Sequence, residues 1–317
     1  MDKRVRSNFE LPLSGPYDLS ATLSLLGLMR RDPCLRLDGP RDVRLAMRGP
    51  TGPLAVKLQQ ASDAVQAEIA GDDAEWLAPL LPDWLGLNFQ PPAFDGPPRL
   101  KNLARKHAGL RLPRVPLIFP RLVQIVLQQL VRFEDACHGW KELVRRHGMK
   151  APRHDDLYVP PAADALARLA SFQWIECGVL PEQGRRIAGL ARVAKRIESA
   201  WASGLTEDAA DSTCKFLQAQ RGVGPWTIGS LRGTSLGDAD AVVLCDYSLP
   251  KQVAYFFTGE ETIDGREATD DDMLRLLEPF RPHRYYVTAL LMHAPHPPRR
   301  GPRRKPLRER MRPPRTA

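Results

Sequence analysis

No run of 18 or more apolar residues occurs anywhere in the 317-residue chain, so a membrane-spanning helix is not expected. The opening stretch MDKRVRSNFELPLSG lacks the apolar core of a secretory signal. Cysteine is scarce. Cys34, Cys137, Cys177, Cys214 and Cys245 are scattered, without a CxxC pair. That argues against a disulfide framework and against a cysteine-bound zinc or iron–sulfur site. A reducing cytoplasm is the expected compartment. No fixed-period repeat is present.

What the chain has in excess is positive charge, and it is unevenly placed. The net charge is +9, and residues 299–317 alone hold eight Arg and one Lys against one Glu. Four prolines lie in the same stretch, so 295–317 is expected to be a disordered basic tail. Such a tail suits phosphate backbones, because each neutralised phosphate releases counterions. It reads equally as a solubilising extension.

The first hundred residues read as α+β. A helix over 18–26 is expected, capped by Asp18 or Ser20. Short alternating runs follow at 34–37, 43–47, 54–58 and 65–69, separated by turn signals such as Gly49-Pro50-Thr51-Gly52-Pro53. Their close spacing implies an antiparallel meander. A segment with Pro91, Pro92, Pro97 and Pro98 marks a domain edge. Beyond about 115 the period becomes helical. Leu122, Ile125, Val126, Gln129, Leu130 and Phe133 share one face, and a helix through Ala136, Trp140 and Leu143 stops at Gly148. Pro160 and Pro161 open another, with Leu166 and Leu169 on one face. Ile187, Leu190, Val193, Ala194 and Ile197 mark a further helix.

The most informative segment begins at Arg221-Gly222-Val223-Gly224-Pro225. Two helices meet there, with Pro225 at the first position of the second, where a missing N–H costs nothing. Gly222 and Gly224 permit positive φ and close approach of another backbone. Val223 would plug the turn from below. Outward N–H groups at a helix start suit one phosphate. The same triplet also fits an ordinary helix corner with a glycine stop. Asp246 follows Gly222 by 24 residues and reads as an N-cap before Tyr247-Ser248-Leu249. Asp238 and Asp240, in GDAD, read as turn residues.

Together these residues resemble the helix-hairpin-helix base-excision DNA glycosylases, and within them the 3-methyladenine DNA glycosylase II branch. The hairpin Gly222-Val223-Gly224, the pair Trp226-Thr227 and the stretch Asp246-Tyr247 carry the likeness. So do Ala108-Gly109-Leu110-Arg111-Leu112-Pro113, Val126-Leu127-Gln128-Gln129-Leu130-Val131 and Phe280-Arg281-Pro282-His283-Arg284. The match holds in order from about 108 to 292. It departs at His283, where the branch has Trp, at Gln128, where it has Gly, and at Arg221, where Pro is common.

The resemblance implies an α+β chain: a small antiparallel sheet domain (1–98), an all-α glycosylase domain (99–294) and the tail (295–317). It implies a monofunctional glycosylase acting on alkylated, 3-methyladenine-like bases in double-stranded DNA. Asp246 would be the catalytic carboxylate, stabilising positive charge at the sugar C1′. Lyases of this superfamily carry a Schiff-base Lys where this chain has Trp226, which also reads as core packing. The flipped base would meet Trp226, Tyr247, Phe280, His283 and Tyr285, whose aromatic faces favour a cationic base. Arg221, Gly222, Val223, Gly224, Trp226 and Thr227 would lie at the DNA backbone. Leu130 would be the wedge in the base stack, although its local pattern reads as a buried helix leucine. No organic cofactor or catalytic metal is implied; a monovalent cation at the Gly222 and Gly224 carbonyls is, and so is a monomer. An oxidised-base glycosylase of the same fold and a catalytically silent damaged-DNA-binding protein are the alternatives. An unrelated helical protein with a chance hairpin is a more distant one.

Overall fold

A computed structural model describes residues 6–28, 32–201, 206–296 and 307. The expected tail therefore falls almost wholly outside the described residues. Of its residues only 295, 296 and 307 are described; Leu307 is buried, and its N–H donates to Asp135 Oδ2 at 3.3 Å.

The first layer is a five-stranded antiparallel sheet of β1 (Arg6–Pro12), β2 (Leu35–Leu37), β3 (Asp42–Arg48), β4 (Pro53–Gln60) and β5 (Ala64–Ala70), in the order β1-β5-β4-β3-β2. Four strands lie where alternation placed them; β1 was not anticipated. Helix α1 (Leu19–Ser24) starts at Asp18, whose carboxylate accepts from Ala21 N at 2.8 Å. Alternation explains the two faces. Val43, Leu45 and Met47 pair with Leu58, Val56 and Leu54 and bury the large face. Ala46, Ala55 and Ala70 form the other face, small enough to take a second hairpin closely.

That hairpin, β6 (Met149–Ala151) and β7 (His154–Val159), was not anticipated either; Ala151, Leu157 and Val159 close over the alanines. The remaining sheet is the short pair β8 (Thr262–Ile263) and β9 (Arg266–Glu267).

The helices after α1 run in order as α2 (Ala74–Leu77), α3 (Leu81–Trp84), α4 (Pro98–Lys106), α5 (Phe119–Gln128) and α6 (Phe133–His147). Then come α7 (Ala163–Arg168), α8 (Ser171–Glu176), α9 (Pro181–Arg192), α10 (Ala194–Trp201) and α11 (Glu207–Gln218). Last are α12 (Pro225–Ser235), α13 (Leu249–Thr258), α14 (Asp270–Leu277) and α15 (Arg284–Leu291). Helix α6 shows why such segments hold: Glu134 and Asp135 sit in its first turn and Arg145, Arg146 and His147 in its last, matching the macrodipole.

Two readings need correction. The helical face drawn through Phe133 is broken: α5 stops at Gln128, Gln129 is extended and Leu130 is left-handed. The single helix expected over 187–197 is two, divided at Val193. Leu169 likewise lies just past α7, in extended conformation.

One core joins the large face of the sheet to α5, α6 and α9 to α11 without a break near residue 98. A second core joins α4 to α13, α14 and α15. Helix α12 lies between them, and Trp226 packs against both. The site forms along this seam.

Candidate active site at the helical hairpin

Helix α11 ends at Gln218, and the chain reverses through Gly222 at φ +83. Glycine is favoured there. The left-handed backbone disfavours a side chain, and a Cβ would lie 2.4 Å from Arg186 Cδ. Val223 is buried under the turn as expected, and Arg221 is exposed. Gly224 departs from expectation: its φ is −103, and a Cβ there would meet nothing. Its value is open space above the start of α12, where Trp226 and Thr227 amides have no intrahelical acceptor.

From α12 the chain returns to this seam through Asp246. Cys245, just before it, is left-handed at φ +60, and its N–H donates to Asp270 Oδ2 at 2.8 Å. The Asp246 carboxylate is held on both oxygens. Oδ1 accepts from the N–H groups of Ser248 and Leu249, each at 2.8 Å. Oδ2 accepts from Trp226 Nε1, also at 2.8 Å. The N-cap of α13 is Ser248, so Asp246 stands two residues ahead of the cap and closes the turn that leads into the helix, with its other oxygen toward the indole. The half-buried Trp226 is thus both a packing residue and a clamp on Asp246.

Tyr247 is 79% exposed beside the carboxylate. Lys251 Nζ lies 4.3 Å from its ring centroid and 3.0 Å from Glu267 Oε2. Burial works against the charged form of this ammonium, but the hydrogen bond to Glu267 outweighs it together with nearby acidic groups, and the pKa lies above its ordinary value.

Other expected pocket residues are placed differently. Phe280 is buried in the second core, stacked on Phe257 and edge-on to Phe94. Tyr285 is buried under α12, so close that a Cβ on Gly233 would come within 2.0 Å of its ring. Burial pushes its hydroxyl well above the usual range. Both serve as core; their aromatic character could not distinguish a wall facing a ligand from one facing the interior. His283 is half-buried at the start of α15. Asp238 and Asp240 are turn and anchor residues: Asp238 accepts from Asp240 N at 2.9 Å, and Asp240 accepts from Arg284 Nη2 at 2.7 Å.

The wedge candidate is the largest revision. Leu130 is not a helix residue facing inward; it stands at φ +61, 69% exposed. Its neighbour Gln129, expected on the same helical face, instead reaches the hairpin. Gln129 Nε2 donates to Gly222 O at 3.0 Å and to Thr227 Oγ1 at 2.8 Å, and Oε1 accepts from Arg186 Nη1 at 2.6 Å. Thr227 is accordingly buried, and its hydroxyl faces Gln129, not a DNA backbone. The available signals were the polar pair Gln128-Gln129 at the end of an apolar helix and the place of Gln129 in the family-like stretch Val126–Val131.

The carbonyls considered for a cation already serve as acceptors. Gly222 O takes Gln129, and Gly224 O takes Ile228 N at 3.1 Å. A cation would meet only their second lone pairs. Among the described residues no cluster of three His, Cys, Asp or Glu is arranged to hold a metal. A cavity of about 730 Å³ flanks the hairpin on the side of Gly224, Pro225, Asp240 and Arg284, and neither Asp246 nor Trp226 lines it. Its arginines are neutralised by Asp211, Asp238 and Asp240.

No protein-family model matches the sequence, and no curated protein does. Solved structures do. The 3-methyladenine DNA glycosylase from Archaeoglobus fulgidus superposes with a TM-score of 0.72 at 18% identity, over 90% of this chain and 97% of that one. The Clostridium acetobutylicum 8-oxoguanine glycosylase/lyase in its apo form gives 0.63 at 12% identity, over 92% and 98%. The same enzyme with double-stranded DNA holding cytosine opposite 8-oxoguanine gives 0.62 at 12% identity, with the same coverage. The chain has the fold of the helix-hairpin-helix DNA glycosylases.

Proposed function

We propose that this chain is a DNA glycosylase that hydrolyses the N-glycosidic bond of a damaged base flipped from duplex DNA, without lyase activity. The observation that carries the reading is the Trp226 Nε1 to Asp246 Oδ2 hydrogen bond of 2.8 Å at the mouth of the hairpin. It fixes a carboxylate beside an open surface and fills the Schiff-base position with an indole. As the base departs with the bonding pair, positive charge grows at C1′. A fixed carboxylate stabilises that charge, and water adds to C1′, giving up a proton. The hairpin would seat a phosphate over Gly224, and Leu130 would fill the vacated stack.

An alkylated, 3-methyladenine-like base is the substrate favoured here, by the motif likeness and by the Archaeoglobus fulgidus neighbour. One observation favours a second reading. Lys251 already sits on the Tyr247 ring, so a cationic base stacked on the other face meets an engaged quadrupole and a nearby like charge. A neutral, oxidised base avoids both.

The test is base release by wild type and Asp246→Asn from methylated duplex and from 8-oxoguanine duplex. Release confined to methylated DNA, lost in the variant with binding retained, supports the first reading; release confined to 8-oxoguanine supports the second. Binding without release from either makes the protein a damage-binding module. Borohydride trapping of a covalent enzyme–DNA product would contradict the assignment of no lyase activity.

A further inference from the structure

The wedge and the hairpin come from segments 90 residues apart in sequence, yet one side chain spans them. The Gln129 carboxamide has a single sensible orientation. Its oxygen faces the Arg186 guanidinium and its nitrogen faces the Gly222 carbonyl and the Thr227 hydroxyl. Turning it over would set oxygen against oxygen and N–H against guanidinium. Helix α9 supplies the orienting groups from one face. Arg186 fixes the side chain of Gln129. Gln183, three residues earlier, fixes the backbone: its Nε2 donates to the carbonyls of Val126, Leu127 and Gln129 at 3.2, 3.0 and 2.8 Å. They gather the carbonyls at and just past the end of α5, where intrahelical donors run out. Gln183 is itself oriented by Leu180 N, which donates to its Oε1 at 3.1 Å. The result is an exposed leucine held in a left-handed conformation that its own sequence does not favour.

From this geometry we infer that Gln129 is a positioning residue that locks Leu130 to the hairpin, so that seating a phosphate at Gly222–Gly224 and inserting Leu130 are one event. The inference rests on the glycosylase reading for its purpose, but not for its test. Without the lock, the hairpin still holds DNA while the leucine is delivered loosely. The defect then falls on extruding a paired base and spares a base that is already unpaired.

The experiment compares wild type, Gln129→Ala and Gln129→Glu on duplex DNA carrying 2-aminopurine beside the lesion, and on the same lesion in single-stranded DNA. Glu keeps the acceptor for Arg186 and loses both donors, so it separates loss of the lock from loss of side-chain bulk. Expected are a fluorescence rise at saturating wild type that falls at least threefold in both variants, with duplex affinity within threefold of wild type for Ala. Where bases are released, duplex turnover drops about tenfold and single-strand turnover less than threefold. Equal losses on both substrates indicate a merely structural residue and overturn the proposal, as does an unchanged fluorescence rise in both variants. A wild type that releases no base yet gives the rise overturns the glycosylase reading alone. A wild type that gives no rise leaves no wedge to position and overturns this inference.

Discussion

Two tight turns face the same surface, and they are built in opposite ways. The hairpin reverses through Gly222, a residue with no side chain to oppose φ +83. The wedge loop reverses through Leu130 at φ +61, where an L-residue costs on the order of 1–2 kcal/mol. The first turn is relaxed by its composition. The second is held against local preference by Gln183 and by the Gln129–Arg186 contact. A turn that must accept a phosphate backbone needs room, which glycine gives. A turn that must present an apolar side chain cannot use glycine, so its conformation has to be imposed from neighbouring helices.

The comparison matters only if both turns serve Asp246, so the largest effect is expected there. Asp246→Asn should lower base release by about 10²–10³-fold while duplex binding changes little, measured by single-turnover cleavage and fluorescence anisotropy. Next is the contrast within the hairpin. Gly222→Ala should destabilise by roughly 2 kcal/mol in chemical denaturation, through strained φ and the clash with Arg186. Gly224→Ala should change stability by less than about 0.5 kcal/mol and weaken duplex binding. Equal destabilisation by the two would break the account of which glycine the fold requires.

The far end of the wedge helix gives a pH test. Half-buried Glu198 accepts from Ile118 N at 3.0 Å and Phe119 N at 2.7 Å, closing the start of α5. Burial raises its pKa to about 7, well above the usual value of 4.5. The folded state therefore holds the proton more tightly than the unfolded one. Stability from this group is full below about 4.5 and is lost as pH rises through about 7. Melting temperature should fall by a few degrees over that range in wild type, and that component should vanish in Glu198→Gln. The smallest expected change is Leu130→Gly: stability no lower than wild type, because the left-handed strain is relieved, with reduced release from paired DNA. A clear loss of stability would mean that Leu130 packs in the free protein after all.

The hairpin was legible because its signal is local. Glycine at φ +83, Val223 as plug and Pro225 at a helix start depend on their own backbone geometry. The same holds for the strands at β3, β4 and β5, where alternation in Val43, Leu45 and Met47 matches the buried face. Phe280 and Tyr285 were misplaced because an aromatic beside a site and an aromatic beneath it look alike in sequence. Strand β1 was missed because Arg6–Pro12 mixes charge and proline into its alternation. The continuity of apolar spacing from Leu122 to Phe133 hid the break at Gln129. That break depends on Gln183 and Arg186, more than fifty residues away.

The sequence by itself determined the succession of a small antiparallel sheet and then helices, the two-helix hairpin, the aspartate that follows it and the indole in place of a lysine. Each depends on residues close together along the chain. The tertiary structure alone decided that Leu130 points outward, that the Trp226 indole grips Asp246, and that Lys251 engages Tyr247. It also decided that Phe280 and Tyr285 are buried while Tyr247 is exposed. Those are contacts between side chains of different elements, fixed only when α5, α9, α12 and α13 are brought together, and no local pattern encodes them.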